Sequence, residues 1–210
     1  MSDAVFVDYD GTITDRDTFD VLTHVSAGPE LWQRIETELS DGSMTLRQAL
    51  AEQAANVRMT LEQAEVAIAR HARMEPSFPD FVRACKERGA RLTVLSGGVA
   101  TLIRRAFERA GLELELLAND AEISVRGWRM TFRDDSHFGH DKTVAVEEAR
   151  ARGLRTIYVG DGISDYDACL AADLRFAKRG RSLERFLSER NVPFTAFAGF
   201  EEVERAIWRR

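Results

Sequence analysis

Two cysteines in 210 residues, Cys85 and Cys169, are too few and too far apart to build a disulfide framework or a cysteine-ligated zinc site. Both fall in segments patterned as helices, which suits buried thiols in a reducing compartment. Positive charge is also short. The 29 Lys and Arg residues stand against 35 Asp and Glu, a net charge of −6, so no basic field invites nucleic acid. No apolar run approaches the roughly 18 residues that cross a bilayer. The chain opens Met-Ser-Asp and enters a short apolar segment directly, without the charged-then-apolar order of a signal peptide. A cytoplasmic protein that binds neither nucleic acid nor membrane is expected. Internal repeats, low-complexity segments and a long heptad seam are missing too, and monomer and homodimer both stay open.

What is present suits one large domain, or one domain carrying an insert, with 44% of residues hydrophobic. "AVFVDYD", from Ala4, is a continuous apolar run, as expected of a strand covered on both faces. The next comparable strand, "RLTVLSGG", begins at Arg91. Between them, residues 15–75 read as helix throughout. Thr45 with Gln48 and Thr60 with Gln63 form capping boxes, followed by Leu46, Ala49, Leu50, Ala54 and Val57, and by Leu61, Ala64 and Ile68, at helical spacing. Such an insert is too long for an ordinary connection and is expected to be a helical cap domain, leaving 1–14 and 76–210 as the core. Beyond it, helices closed by Gly89 and Gly111 are followed by a strand near "LELLAND" and a hairpin with Arg126-Gly127 at its tip. "KTVAVEEARARG", "RTIYVGDG", "SDYDACLAAD", "LRFAK", "RSLERFLSER", "PFTAF" and "FEEVERAIWRR" complete the alternation. The pattern predicts an α/β fold, a mainly parallel sheet with helices on both faces.

Ligands of such sheets collect outside the carboxyl ends of the strands. Asp8, Ser96 and Asp161 each end a predicted strand, and Lys142 starts a helix at the same edge. Asp8, Asp161 and Asp165 together would repel one another strongly. A hard divalent cation removes that conflict, and oxygen-only ligands point to Mg²⁺. A cation with a lysine, a serine and the amides of Gly97 and Gly98 makes a site for a phosphate dianion. Asp8 and Asp10 are two apart, which along an extended strand returns both side chains to one side, with Gly11 letting the chain leave sharply. Taken singly, each cluster has a plainer reading. Asp8 and Asp10 could form a turn or a calcium loop, although Ile13 and Phe19 stand where an EF-hand wants Gly and an acid. Asp161 and Asp165 could cap a helix, Lys142 could be a solvated helix residue, and Ser96-Gly97-Gly98 could be a simple turn. Their order and shared edge favour a site. His137 and His140 lack a third ligand and read as structural or solvent-facing.

"DYDGTIT", "LSGG", Lys142 and "GDGISD" resemble the four motifs of the haloacid dehalogenase superfamily, in the expected order, from Val5 to about Asp173. The insert between the first two motifs is similar in position to the cap of the phosphoserine phosphatase subclass. The resemblance implies a phosphatase in which Asp8 is the nucleophile and forms an aspartyl-phosphate, and Asp10 is general acid, then base. It also implies that Ser96 and Lys142 hold phosphoryl oxygens, and that Asp8, the Asp10 carbonyl and Asp161 bind Mg²⁺ with Asp165 supporting them. Thr12, Gly97, Gly98 and Ser164 are candidates for substrate contact. Asp10 argues against dehalogenase chemistry, whose practitioners in the family lack this acid.

The substrate is expected to be a small phosphorylated metabolite, selected by the insert. Asp17 matches in position the cap acid with which phosphoserine phosphatases bind the substrate amine. Gln53 falls where those enzymes carry an arginine for the carboxylate, which puts phosphoserine in doubt. "DYDGTITDRD" and "LLANDAEI" are similar to methionine-salvage phosphatases acting on 2-hydroxy-3-keto-5-methylthiopentenyl-1-phosphate, although no cysteine-rich stretch precedes Lys142. Phosphocholine and pyridoxal phosphate are further alternatives. Phosphoryl transfer to another alcohol and a phosphate-binding regulatory module stay open beside hydrolysis.

Overall fold

A computed structural model describes residues 2–208. The strands are β1 (Asp3–Asp8), β2 (Arg91–Val99), β3 (Glu115–Glu122), β4 (Arg129–Thr131), β5 (Arg155–Gly160), β6 (Leu174–Lys178) and β7 (Thr195–Phe197). They form one sheet in the order β4-β3-β2-β1-β5-β6-β7, parallel except for the β3–β4 hairpin. β1 is central, its neighbours being β2 and β5, so the three strands expected to carry the site lie side by side. The apolar run of β1 feeds both faces, as its sequence requires. Val5 and Val7 join a core with Phe78, Phe81, Phe107 and Phe200, while Ala4 and Phe6 join Val146, Tyr158 and Leu187 on the other side. Cys85 and Cys169 are buried, unpaired thiols in these two cores.

Helices α5 (Phe78–Glu87), α6 (Ala100–Arg109) and α10 (Phe200–Trp208) supply the first core, and α7 (Lys142–Ala151), α8 (Tyr166–Ala171) and α9 (Ser182–Glu189) the second. Arg209 and Arg210, the end of the expected last helix, lie outside the described residues. The strand near "LELLAND" and the first arm of the hairpin are one element, β3, because Asp120, Ala121 and Glu122 continue its line to pair with Thr131, Met130 and Arg129.

Residues 15–75 hold four helices, α1 (Thr18–Ala27), α2 (Pro29–Ser40), α3 (Leu46–Asn56) and α4 (Leu61–His71). Both expected capping boxes are formed, with Thr45 accepting from Gln48 N and Thr60 from Gln63 N. The chain leaves and returns through paired extended segments, in which Asp15 N donates to Arg73 O at 3.0 Å and Glu75 N to Ile13 O at 2.7 Å. The insert has its own apolar centre (Phe19, Leu22, Leu50, Ala54, Val57 and Ala64), which continues into Val99, Leu102 and Trp128. Trp128 joins the two parts directly: its backbone N–H donates to Ala54 O at 2.8 Å and its indole N–H to Met59 O at 2.9 Å.

Trp128→Ala therefore removes a buried ring and its indole hydrogen bond to Met59 O while keeping the backbone bond to Ala54 O, and is expected to lower unfolding free energy by about 3–5 kcal/mol. Loss of one cap in Thr45→Ala is expected to cost about 1 kcal/mol. Urea unfolding of the two variants checks both the magnitudes and their order.

Candidate active site

The carboxyl ends of β1, β2 and β5 meet in a cleft of about 670 Å³. β1 stops at Asp8, and residues 9–13 turn away in an irregular wide turn. Asp10 therefore lies beyond the strand, and the alternation expected to align it with Asp8 does not apply. The turn brings it round instead. Gly11 has φ +79°, and a Cβ there would fall onto the Asp161 carboxylate, so the turn admits no side chain at this point. The Lys178 ammonium donates to the carbonyls of Thr12 at 2.9 Å and Thr14 at 3.4 Å, tying the turn to β6.

Asp8 is 4% exposed and Lys142, the first residue of α7, is 2% exposed. The Lys142 ammonium donates to Asp8 Oδ1 at 2.6 Å, Asp165 Oδ1 at 2.7 Å and Ser164 Oγ at 3.0 Å. Burial opposes the charge on Lys142, yet the carboxylates of Asp165 and Asp8 hold its pKa above the ordinary lysine value. Asp165 is enclosed completely, and both its oxygens are engaged. Oδ1 also accepts from Tyr158 OH at 2.7 Å, and Oδ2 accepts from the backbone N–H groups of Asp161 and Gly162, each at 2.9 Å. Asp161 takes a hydrogen bond from Thr12 Oγ1 at 3.2 Å and lies 3.8 Å from Arg181.

Oxygens of Asp8, Asp161 and Asp165 lie within 4.8 Å of one another. Burial, followed by repulsion from Asp165, pushes Asp8 well above the usual carboxylate range and Asp161 up to about 6. The Lys142 ammonium and the more distant Arg181 guanidinium do not neutralise three carboxylates. The all-oxygen donor set and its uncompensated negative charge fit a hard divalent cation.

Asp10 is held apart from this group. Its Oδ1 accepts from Thr18 N at 2.9 Å and Thr18 Oγ1 at 2.6 Å, and its Oδ2 accepts from Ser96 Oγ at 3.3 Å. Burial raises the Asp10 pKa, and the hydrogen bonds from Thr18 and Ser96 only partly offset it. Ser96 is fully buried, and its Oγ also accepts from Gly98 N at 2.8 Å. The β2–β3 register shifts between Ser96 and Val99, a bulge that turns Gly97 and Gly98 onto the cleft wall. A Cβ on Gly98 would stand 2.7 Å from Asp10 Oδ2, so close approach requires glycine. Asn119 Nδ2 donates to Gly97 O at 2.9 Å. His140 Nδ1 lies 2.9 Å from Ser96 O, and burial pushes its pKa down to about 4, making it a neutral donor that fixes the bulge. His137 is exposed.

Asp8, Asp10, Thr12, Ser96, Gly97, Gly98, Lys142, Asp161, Ser164 and Asp165 thus converge on one rim. The two residues singled out in the insert behave differently. Asp17 lines the cleft, but its Oδ1 caps α1, accepting from Phe19 N at 2.8 Å and Asp20 N at 3.0 Å. Gln53 is buried and not part of the cleft wall; its Nε2 donates to Asp20 Oδ1 at 2.8 Å, and Asp20 is the residue that faces the cleft. Sequence reasoning missed Asp20, Thr18, Tyr158 and Lys178. The hydroxyl of Tyr158 was concealed in an apolar strand, and Thr18 had one available signal, its place directly after an acid at a helix start.

The haloacid dehalogenase-like hydrolase family matches residues 5–169. Pdp3-interacting factor 1 of Schizosaccharomyces pombe is 32% identical over 97% of this chain and 93% of its own length. The polyol phosphate phosphatase PYP1 of Saccharomyces cerevisiae is 28% identical over 95% of this chain and 90% of its own. A 2-hydroxy-3-keto-5-methylthiopentenyl-1-phosphate phosphatase of Microcystis aeruginosa is 26% identical over the whole of both chains, 100% of each. A substrate-bound phosphoserine phosphatase superposes with a TM-score of 0.77 over 99% of both chains at 20% identity, a likeness of fold. The motifs, the sheet order and the family match agree: the chain belongs to the haloacid dehalogenase-like hydrolases.

Proposed function

We propose that this hydrolase is a Mg²⁺-dependent phosphomonoesterase acting on a small metabolite, with Asp8 as nucleophile, Asp10 as proton shuttle and α1–α4 as a cap over the cleft. The carrying observation is that Asp8, Asp10 and Asp161 reach one cleft while a buried Lys142 lies directly behind the Asp8 carboxylate. Lys142 engages Asp8 Oδ1, which leaves Oδ2 for attack on phosphorus. The Asp8–phosphorus bond forms as the ester P–O bond breaks, and the departing alkoxide takes the Asp10 proton. Asp10, now a carboxylate, takes a proton from water as the oxygen of that water attacks phosphorus, releasing phosphate and restoring both residues. Thr18 and Ser96 hold Asp10 in place for both transfers. Ser96, Lys142 and the amide of Gly97 would offset charge on the phosphoryl oxygens, with the Gly98 amide holding the Ser96 hydroxyl in place.

Asp8, the Asp10 carbonyl and Asp161 would hold Mg²⁺, with Asp165 supporting them from behind. Bound there, the cation supplies Lewis-acid neutralisation that lets an anionic nucleophile approach an anionic ester. Among the described residues no helix is long and apolar enough to cross a membrane. A cytoplasmic location, where Mg²⁺ and phosphorylated metabolites occur together, accords with this and with two reduced thiols. The relatives named for methylthiopentenyl and polyol phosphates support an uncharged leaving alcohol over phosphoserine. Gln53, which stands where phosphoserine phosphatases carry an arginine for the carboxylate, lies behind Asp20 and off the cleft wall, which supports the same choice.

Three outcomes are expected. Asp8→Asn abolishes turnover of para-nitrophenyl phosphate with the circular dichroism spectrum retained; surviving turnover removes the nucleophile assignment and a purely phosphate-binding module would show none in the unmodified protein. EDTA stops turnover and Mg²⁺ restores it. Asp10→Asn lowers kcat by about 10²–10⁴-fold. Because nitrophenolate leaves without an acid, this variant is expected to release one burst of nitrophenol per subunit and then stall, which stopped-flow absorbance measures.

A further inference from the structure

Three of the four insert helices are bonded to the core at positions of their own. From α1, both donors of Thr18 reach Asp10 Oδ1, at 2.9 and 2.6 Å. In α3, Ala54 O accepts from Trp128 N at 2.8 Å, Arg47 N donates to His137 O at 2.9 Å, and the Arg47 guanidinium lies 4.4 Å over the Phe132 ring. From α4, the Glu65 carboxylate lies 3.0 Å from Arg109 and 3.7 Å from Arg105, both on α6. The crossing segment is pinned as well, by Lys178 on Thr12 O and Thr14 O and by Arg181 on Asp15 O at 3.0 Å. A swing of all four helices together would break these bonds and open the apolar centre around Trp128 to water.

α2 is held differently. Among the described residues it makes no hydrogen bond or ion pair to the core. The apolar centre that joins α1, α3 and α4 to Val99, Leu102 and Trp128 includes no α2 residue, and Ile35 is the one buried side chain in its 12 residues. α2 rests on its neighbours through Ile35, the 5.0 Å ring contact of Trp32 with His24, the Trp32 indole beside Asp20 and an exposed ion pair between Arg34 and Glu52. Few buried contacts of this kind let a segment open by itself. Both ends are jointed. Gly28, before α2, has φ +82° and ψ 175°, a conformation essentially confined to glycine, and Gly42, after it, has φ +78°. α2 carries Trp32, Glu36 and Leu39 to the cleft, and Ile163, 49% exposed, lines the same cleft from the core side. Inward movement of α2 would cover apolar surface on both sides, which favours closure.

We propose that α2 alone is the moving lid of this cleft, hinged at Gly28 and Gly42, while α1, α3 and α4 form a wall fixed to the core. Closure over a bound ester excludes water from the Asp8 carboxylate, and opening releases the product. The part of the lid in turnover rests on the phosphomonoesterase reading; its independent movement does not.

Hydrogen–deuterium exchange of the Mg²⁺-loaded protein, read by peptide mass spectrometry, tests the movement. Residues 29–40 are expected to exchange about tenfold or more faster than α3 and α4. Orthovanadate, its binding followed by thermal shift, is expected to slow α2 while leaving α3, α4 and residues 126–140 unchanged. Exchange of α2 as slow as that of α3 overturns the proposal without any ligand. A common change across all four helices, or bound orthovanadate that leaves α2 unaltered, overturns it too. Fast α2 exchange in a protein that neither binds orthovanadate nor turns over an ester supports the moving helix and removes the phosphatase.

Cross-links test the lid in turnover. A reducible bis-methanethiosulfonate joins Arg34→Cys to Glu52→Cys, locking α2 to α3, or Glu65→Cys to Arg109→Cys, locking α4 to α6; both native thiols are buried. The first lock is expected to lower kcat on para-nitrophenyl phosphate about tenfold or more, with recovery on reduction by dithiothreitol. The second is expected to leave kcat nearly unchanged. Retained turnover under the first lock overturns the assignment. Loss under the second shows that the whole insert swings, and overturns it as well.

Discussion

One ammonium shared by two buried carboxylates organises this molecule. Lys142 sits between Asp8 and Asp165 with almost no access to water, in a setting where removing one partner of such a pair costs about 3–5 kcal/mol. Asp165 makes the arrangement tolerable because each of its oxygens is doubly engaged, by Lys142 and Tyr158 on one side and by the amides of Asp161 and Gly162 on the other. That single side chain fixes the end of β5, the start of α7 and, through Lys142, the carboxylate that ends β1. Three distant stretches of chain acquire one geometry from it. Three carboxylates against Lys142 and the more distant Arg181 leave net negative charge, which suits the rim to a divalent cation.

Around that centre the chain divides its labour. The sheet edge carries the polar groups of the rim, and neighbours hold them in place: Ser96 by the buried His140, Gly97 by the buried Asn119, the wide turn by the half-buried Lys178. The four-helix insert contributes the opposite wall and is tied to the rest of the chain at several places, among them the paired crossing segments near Thr14 and Met74, the Trp128 contact from the β3–β4 hairpin, Arg47 N donating to His137 O and Thr18 on Asp10. Thr18, the first residue of α1, holds the Asp10 carboxylate, whereas Gln53 and Asp20 share no hydrogen bond with the rim.

Much of this was legible in the sequence, for identifiable reasons. A strand buried on both faces must be apolar without interruption, and β1 is. Capping boxes are local, and both formed where Thr45 and Thr60 predict them. Acids, lysine and serine at strand and helix ends converge because the sheet puts those ends on one edge. The position of Asp10 was not legible from alternation, because the strand ends two residues earlier and a glycine with positive φ turns the chain. Tyr158 read as core because only the fold shows what its hydroxyl meets. The partner of Gln53 was not legible, because Asp20 lies 33 residues away, on a helix whose orientation is set by tertiary packing alone.

The central claim is that Asp8 is the residue that takes the phosphoryl group. Acid quenching of the protein during turnover of a phosphate ester, followed by borohydride reduction, converts an aspartyl-phosphate to homoserine at the residue that carried it. Peptide mass spectrometry is expected to find homoserine at position 8 and nowhere else. Homoserine at another aspartate, or an unmodified Asp8 in a protein quenched while turning over substrate, would contradict the account.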